Sequence, residues 1–297
     1  MKLETFATLA AVIEEGSFAA AAATMHLTPS AVSMQMKQLE QYLGQPLFDR
    51  SGLQVRPNAL AREVSASMEG GLRHLNTLRR RASVAVEGAV RLGVIESMQP
   101  VLLPGTLRYV RERYPRLTVK PLRGRSTGLM EMVKAGQLDA AVVARPESGR
   151  VASLRWYPVA TRELMLIAPP DAGSRNESPA ELLARYDWIR YDRATVSGAM
   201  AARHVHGLLP DKRSAMEFDS VTAIVAMVSA GLGVSVVQLM DPTVVDRYPV
   251  RRIRLGPDAP VLQMSLVLRK ADEDSRLLQA LREAVEATLK TPRDQML

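Results

Sequence analysis

Three short runs within residues 16–56 decide the reading of this chain: Gly16-Ser17-Phe18, Leu27-Thr28-Pro29-Ser30-Ala31-Val32-Ser33, and Leu47-Phe48-Asp49-Arg50. Ahead of them, Leu3, Phe6, Leu9, Val12 and Ile13 recur at helical spacing, and Gly16 stands where a left-handed cap would end that helix. Ser17 can cap the next helix, whose Ala19–Ala23 run combines high propensity with so little bulk that another helix can cross it closely. Thr28 is a good N-cap, and Pro29 follows at the first helical position, where a missing N–H costs nothing. In this third helix Val32, Met36, Leu39 and Leu43 are spaced to face inward, leaving Ser30, Ser33, Met34, Lys37 and Gln41 on the outer face. Leu47-Phe48-Asp49-Arg50 and Leu53-Gln54-Val55-Arg56 then flank Ser51-Gly52, a pair suited to a hairpin turn.

Short polar groups at the N-terminal end of a helix suit base-edge readout, because bulk there would hold the helix out of the major groove. The third helix alone fits an ordinary polar surface equally well. The hairpin decides, since it sets Arg50 and Arg56 beside the helix, placed for phosphate or minor-groove contact. The expectation is a winged helix-turn-helix that binds double-stranded DNA.

The motif Gly16-Ser17-Phe18, Ala21-Ala22, Ala31-Val32-Ser33 with Gln35, Leu39-Glu40, Leu43-Gly44 and Leu47-Phe48-Asp49-Arg50 resembles the N-terminal domain of LysR-type transcriptional regulators. The resemblance implies groove-reading roles for Pro29, Ser30, Ser33, Met34 and Lys37, with Thr28 at the helix start. Met34 stands where the family often has arginine, and Pro57-Asn58-Ala59-Leu60 replaces its usual Thr-x-x-Gly-like segment. From Ala59 to about Val86 the pattern predicts one long helix, with Leu60, Val64, Met68, Leu72, Leu75 and Leu78 as an apolar stripe and Arg79-Arg80-Arg81 at its end. Some 28 residues would extend roughly 40 Å, and a lone helix of that length needs a partner for its stripe. In the resembled family this helix pairs two subunits, so that a dimer, and by analogy a dimer of dimers, reads a dyad-symmetric promoter site; RNA polymerase is a further candidate partner.

The 297 residues suggest two or three domains: 1–58 for DNA, 59–89 as linker and dimerisation helix, and 90–297 as an effector-binding domain. No hydrophobic run approaches membrane-spanning length and no signal-peptide core stands at the N-terminus, so a cytoplasmic protein without membrane contact is expected. The chain has no cysteine, which excludes disulfides, thiolate metal sites and thiol redox sensing. Its net charge of +8 lies almost wholly beyond residue 88, because the first 88 residues carry nine basic and eight acidic side chains. The DNA argument therefore rests on geometry and not on overall basicity.

Beyond Val90 strands and helices alternate. Strands are expected at Arg91–Ile95, Leu117–Arg123, Leu138–Ala144, Leu164–Ile167, Trp188–Tyr191, Ala215–Phe218, Gly233–Val237 and Met264–Leu268. Helices are expected near Leu102–Tyr114, Leu129–Ala135, Gly198–Leu208, Ser220–Ala230 and Ser275–Leu289. The pattern implies open α/β sheets in two lobes, I at about 90–161 and 265–297 and II at about 162–264. Together they resemble a periplasmic-binding-protein-like sensor, and Leu103-Pro104, Tyr114-Pro115, Gly136-Gln137-Leu138-Asp139 and Gly231-Leu232-Gly233 extend the family resemblance across this half.

In such sheets ligands sit beyond the strand C-termini, where helices begin. Four helix starts should meet there: Ser97-Met98-Gln99, Arg125-Ser126-Thr127, Thr195-Val196-Ser197 and Phe218-Asp219-Ser220. Their free amides and hydroxyls suit a small polar or anionic effector, with charge from Arg125 and Arg193. By resemblance the effector contacts map onto Ser97, Ser126, Thr127 and Ser197, and Met98, Val196 and Phe218 at the same helix starts are expected to bind effector too; each serine taken singly would equally serve as a helix cap.

A rival reading makes Gly124-Arg125-Ser126-Thr127-Gly128 a hydrolase nucleophile elbow, followed in the right order by Asp192 and His204 or His206. No glycine-rich oxyanion loop precedes it, and the same residues are accounted for as an effector-binding helix start. His204-x-His206 points its rings in different directions on a helix and has no acidic cluster to complete a metal site, and Gly231-x-Gly233 lacks the third glycine of a dinucleotide fingerprint. A secreted solute-binding protein would leave the first ninety residues without a role. No catalytic residue, cofactor or metal is expected.

Overall fold

The computed structural model describes residues 2–49, 56–80, 86–146, 152–174 and 177–290. The chain divides near residue 84 into two compact units.

The first unit opens with α1 (Glu4–Glu15), which buries Phe6, Leu9 and Val12 and ends at Gly16, whose φ of 72° and N–H bond to the Val12 carbonyl make the left-handed cap. In α2 (Phe18–Thr24) the Ser17 Oγ accepts the Ala20 N–H at 3.1 Å, and Ala21 and Ala22 are buried where the helices meet. The third helix, α3 (Pro29–Leu43), starts on Thr28, whose Oγ1 accepts the Ala31 N–H at 3.2 Å, and ends on Gly44. Val32, Met36 and Leu39 are fully buried, which fixes which face α3 turns outward.

Strands β1 (Phe48–Asp49) and β2 (Arg56–Pro57) then pair antiparallel as the base of the expected hairpin, whose turn lies outside the described residues. The Glu40 carboxylate accepts the Leu47 and Phe48 amides, and the Phe18 and Phe48 rings meet edge to face at 5.1 Å. Asn58 joins the hairpin to the next helix: its Nδ2 donates to the Pro46 carbonyl and its Oδ1 accepts the Ala61 N–H at 2.9 Å. An asparagine N-cap thus serves where the Thr-x-x-Gly-like segment was absent.

The long helix α4 runs Ala59–Arg80; residues 81–85 lie outside the described set. Its stripe is less free than the sequence suggested. Leu60, Val64, Met68 and Leu72 pack against the core of the helix-turn-helix, whereas Leu75 is 43% exposed. The first part of the stripe already has an apolar partner inside its own unit.

The second unit runs β3 (Gly88–Val94), α5 (Gln99–Arg113), β4 (Leu117–Arg123), α6 (Ser126–Lys134), β5 (Ala140–Ala144) and β6 (Leu154–Glu163). It continues through β7 (Met165–Ala168), α7 (Pro179–Arg185), β8 (Trp188–Tyr191), α8 (Val196–Leu208), β9 (Ser214–Phe218), α9 (Val221–Ser229), β10 (Ser235–Val237), α10 (Val244–Arg247) and β11 (Arg251–Arg254). The last elements are β12 (Val261–Arg269) and α11 (Arg276–Lys290). Lobe I is the five-stranded sheet β4-β3-β5-β12-β6, with β3 parallel to β4 and β5, and β12 antiparallel to both its neighbours. Lobe II holds the antiparallel trio β10-β7-β11 and the parallel pair β8-β9, tied together by a bridge from Trp188 to Val234.

The chain crosses between lobes at Leu164 and again between Arg254 and Val261. Val261 pairs with Glu163, so residues 162–163 and 261–264, assigned to lobe II from the sequence, belong to the lobe I sheet. Strands β6 and β11 were not anticipated. Leu154–Glu163 carries Pro158 inside an edge strand, and Arg251–Arg254 holds a single apolar residue, so neither shows a strand's alternation.

Candidate DNA interface and interlobe cleft

On the outer face of α3, Thr28, Pro29, Ser30, Ser33, Met34 and Lys37 are all exposed and run along its N-terminal half. Met34 is 59% exposed, a large apolar side chain left in water on a helix whose opposite face is tightly buried. Thr28 Oγ1 lies 3.0 Å from Ser30 Oγ, so the cap hydroxyl also orders its neighbour. Arg56 is exposed on β2 of the same unit; Arg50 lies outside the described residues. Six of the eight residues singled out for DNA therefore share one helix surface, with a seventh on the hairpin.

In the second unit, β3, β4, β8 and β9 end toward one cleft between the lobes. Lobe I contributes Ile95 and Glu96 after β3, Arg123 at the end of β4, and Gly124, Arg125 and Ser126 at the start of α6. Lobe II contributes Tyr191 at the end of β8, Thr195 before α8 and Asp219 after β9. Together they enclose a cavity of about 270 Å³. A second cavity of about 300 Å³ adjoins it across Glu96, between Ser97 and Pro100 on one side and Val221, Leu239, Val244 and Tyr248 on the other.

Local chemistry explains the positions. Thr195 Oγ1 donates to the Asp192 carbonyl and accepts the Gly198 N–H at 3.0 Å, closing the turn from β8 into α8. Gly198 is required there, because a Cβ would lie 2.1 Å from the Asp192 carbonyl oxygen. Ser126 is buried, and its Oγ accepts the Ala144 N–H at 3.2 Å, which leaves the hydroxyl proton for a ligand. Two polar contacts span the cleft: Arg125 pairs with Asp192 at 2.5 Å, and Ser220 donates to Glu96 at 3.0 Å. Burial, reinforced by the charges of Glu96, Asp219 and Asp192, pushes the Tyr191 phenol above its ordinary range, so at neutral pH it is a hydrogen-bond donor.

The four expected helix starts do converge, but not through every residue named for them. Ser126 and Arg125 line the first cavity and Ser97 the second. Met98 is fully buried in the lobe I core, because Glu96–Met98 form a short 3-10 turn that rotates it inward. Ser197 is also buried, its Oγ accepting from Gln238 Nε2 at 3.1 Å; Thr195, two residues earlier, faces the cavity instead. Val196 and Phe218 are half-buried packing residues, and Thr127 and Arg193 are exposed and line neither cavity. The lining residues missed were Glu96, Arg123 and Tyr191, while Asp219 was placed at a converging helix start without being named as an effector contact. All four sit at the last residue of a strand or within two residues beyond it, and that rule would have found them.

Among the described residues neither His204 nor His206 hydrogen-bonds to Asp192 or Ser126, so the hydrolase constellation is not assembled; His204 Nε2 is buried without a partner. Asp192 is committed to Arg125, and His206 stacks edge to face on Trp188 while its Nε2 meets the Lys212 carbonyl. Among the described residues no group of three His, Asp or Glu side chains is placed to hold a metal, and no helix is long and apolar enough to cross a membrane.

Known proteins match the whole of this architecture. A family model described as the LysR substrate binding domain matches residues 84–290, and one described as a bacterial regulatory helix-turn-helix protein of the lysR family matches residues 3–62. A probable hydrogen peroxide-inducible genes activator of Streptomyces viridosporus is 28% identical over 295 residues, covering 93% of this chain and 92% of its own. A probable RuBisCO transcriptional regulator of Cyanidioschyzon merolae is 28% identical over 242 residues, covering 77% and 78%. Full-length OxyR of Pseudomonas aeruginosa superposes with a TM-score of 0.71 at 21% identity, covering 96% of this chain and 94% of its own. Full-length CbnR, solved with its target DNA, gives 0.59 at 22%, covering 97% and 100%. At these identities the solved structures establish the shared fold, and the two family models between them span both units: the chain belongs to the LysR family of bacterial regulatory helix-turn-helix proteins.

Proposed function

We propose that this LysR-type DNA-binding transcriptional regulator reads a dyad-symmetric promoter site through the outer face of α3 and answers to a small polar effector held between its two lobes. Base contacts fall on Pro29, Ser30, Ser33, Met34 and Lys37, with Thr28 at the helix start, and Arg50 and Arg56 of the hairpin take phosphate or minor-groove positions. The effector's anionic group docks on Arg123 and the first-turn amides of α6, beside the Ser126 hydroxyl. Subunits pair through α4, on which Leu75 is exposed, as a dimer and assemble further as a tetramer on promoter DNA in the cytoplasm, with RNA polymerase as the recipient of the signal.

The observation that carries this reading is the cavity itself. Both lobes furnish polar side chains to it, at the strand ends where α/β sheets bind ligands, and two polar contacts across it join the lobes. A ligand there alters the relative stability of lobe arrangements, and with it the spacing of the paired recognition helices.

Footprinting on the chain's own upstream DNA, over a salt series and with competitor, tests the regulator reading. A dyad-symmetric protected site that survives competitor supports it. Binding that is salt-labile and blind to sequence, there and in a genome-wide selection, would sink it.

A further inference from the structure

If the cleft holds an effector, as proposed above, its charges specify the ligand more closely than "polar". Arg125 is already paired with Asp192, so Arg123 is the cavity cation without an ion-pair partner among the described residues. That leaves Arg123 opposite two carboxylates, Glu96 and Asp219, on the wall of a single cavity. Glu96 is held only by the neutral Ser220 hydroxyl, and among the described residues neither Arg123 nor Asp219 has an ion-pair partner. Tyr191, 6% exposed overall, also lines the cavity and supplies a neutral hydroxyl donor to the same wall.

Arg123 and Asp219 are exposed, but a simple anion at Arg123 would share the cavity with two carboxylates, a like-charge juxtaposition that disfavours it. A simple cation would satisfy the carboxylates and leave Arg123 unmatched. A molecule with both charges satisfies all three groups, and about 270 Å³ is room for one the size of an amino acid. We propose that the cavity takes a zwitterionic small molecule of the amino-acid class, its ammonium between Glu96 and Asp219, its carboxylate on Arg123 and the α6 amides, and the Tyr191 hydroxyl donating to that carboxylate. The ammonium competes with Ser220 for Glu96, so binding draws on a polar contact that joins the lobes.

The test uses the full-length protein, calorimetry and thermal shift. The probes are the protein amino acids, β-alanine and 4-aminobutanoate, each beside its deaminated acid and its decarboxylated amine. The expected result is one amino acid that binds at least about tenfold more tightly than its acid or amine. Asp219→Asn, at an exposed position, should weaken that amino acid about tenfold and spare the matched acid; Tyr191→Phe should weaken both. An acid that binds as tightly as its amino acid, and loses affinity in Arg123→Ala, overturns the zwitterion while leaving the cleft as the effector site. Absence of binding by all three probe classes, with a specific DNA footprint intact, overturns it equally. Loss of the specific footprint would instead count against the regulator reading.

Discussion

Replacing Met34 with alanine should weaken operator binding by about fourfold to twentyfold. Full burial of a methionine side chain is worth about 1.5–3 kcal/mol. Met34 is 59% exposed in the free protein, so complete cover by DNA would gain about 0.9–1.8 kcal/mol. At 1.4 kcal/mol per factor of ten, that is the stated range. Alanine keeps the helix and loses no core packing, because Met34 points away from Val32, Met36 and Leu39. In the major groove the apolar feature available to such a side chain is the thymine methyl. The loss should therefore concentrate on one or two base pairs. Fluorescence anisotropy on the footprinted site provides the assay, repeated with each thymine in turn changed to deoxyuridine. One such change should cost the wild-type protein binding and cost Met34→Ala nothing further, which is the mark of a coupled pair. If Met34→Ala binds the operator like wild type, or loses equally on specific and random DNA, the argument from exposed area to base readout is wrong.

Thr28→Ala should cost about 1 kcal/mol of stability in a urea melt through loss of the α3 cap, and Thr28→Ser should restore it; equal loss in both would move the cause elsewhere. Arg56→Ala should weaken binding to all sequences alike and lower the slope of log K against log salt by about 0.9; an unchanged slope removes Arg56 from the phosphates. Gly198→Ala should destabilise the second unit by about 1–3 kcal/mol, because its Cβ would lie 2.1 Å from the Asp192 carbonyl oxygen, and an unchanged melting temperature would contradict that clash. Burial holds the His204 imidazole below its ordinary value, so below about pH 6.5 the unfolded chain takes up the proton first. Stability should therefore fall as pH drops from that point toward the lower folded value, and His204→Gln should flatten the fall when melts are run as a pH series.

What the sequence disclosed, and what it withheld, follows from how far each residue's role is local. Caps are local: Gly16, Ser17 and Thr28 act within three or four residues of themselves, and each occupies the role its neighbours demanded. Strands such as Ala140–Ala144, buried on both faces, were legible as apolar runs, whereas β6 and β11 are strands only because β12 and β7 supply their hydrogen bonds. The stripe on α4 showed that the helix needs an apolar partner but not which one; Leu60 to Leu72 found theirs in the adjacent helices. The cleft was located by a topological rule, yet its charge was not. Arg125 reads as a free cation until Asp192, 67 positions later, is seen to neutralise it.

That neutralisation bears on how such a cleft could act as a switch. An Arg125 side chain 55% exposed makes an ion pair worth no more than about 1 kcal/mol, and the part-buried Ser220–Glu96 hydrogen bond, to a charged acceptor, contributes about 1.5–3 kcal/mol. Contacts this weak do not lock the lobes; they bias an equilibrium between arrangements that lie close in free energy. On the proposed reading the effector does not need high affinity. It needs unequal affinity for the two arrangements, and a tenfold preference, about 1.4 kcal/mol, already exceeds the Arg125–Asp192 pair. A ligand that draws Glu96 away from Ser220 while leaving Arg125 with Asp192 releases one polar contact between the lobes and keeps the other. On the proposed reading, keeping one contact while releasing the other favours a hinged change over a uniform separation of the lobes.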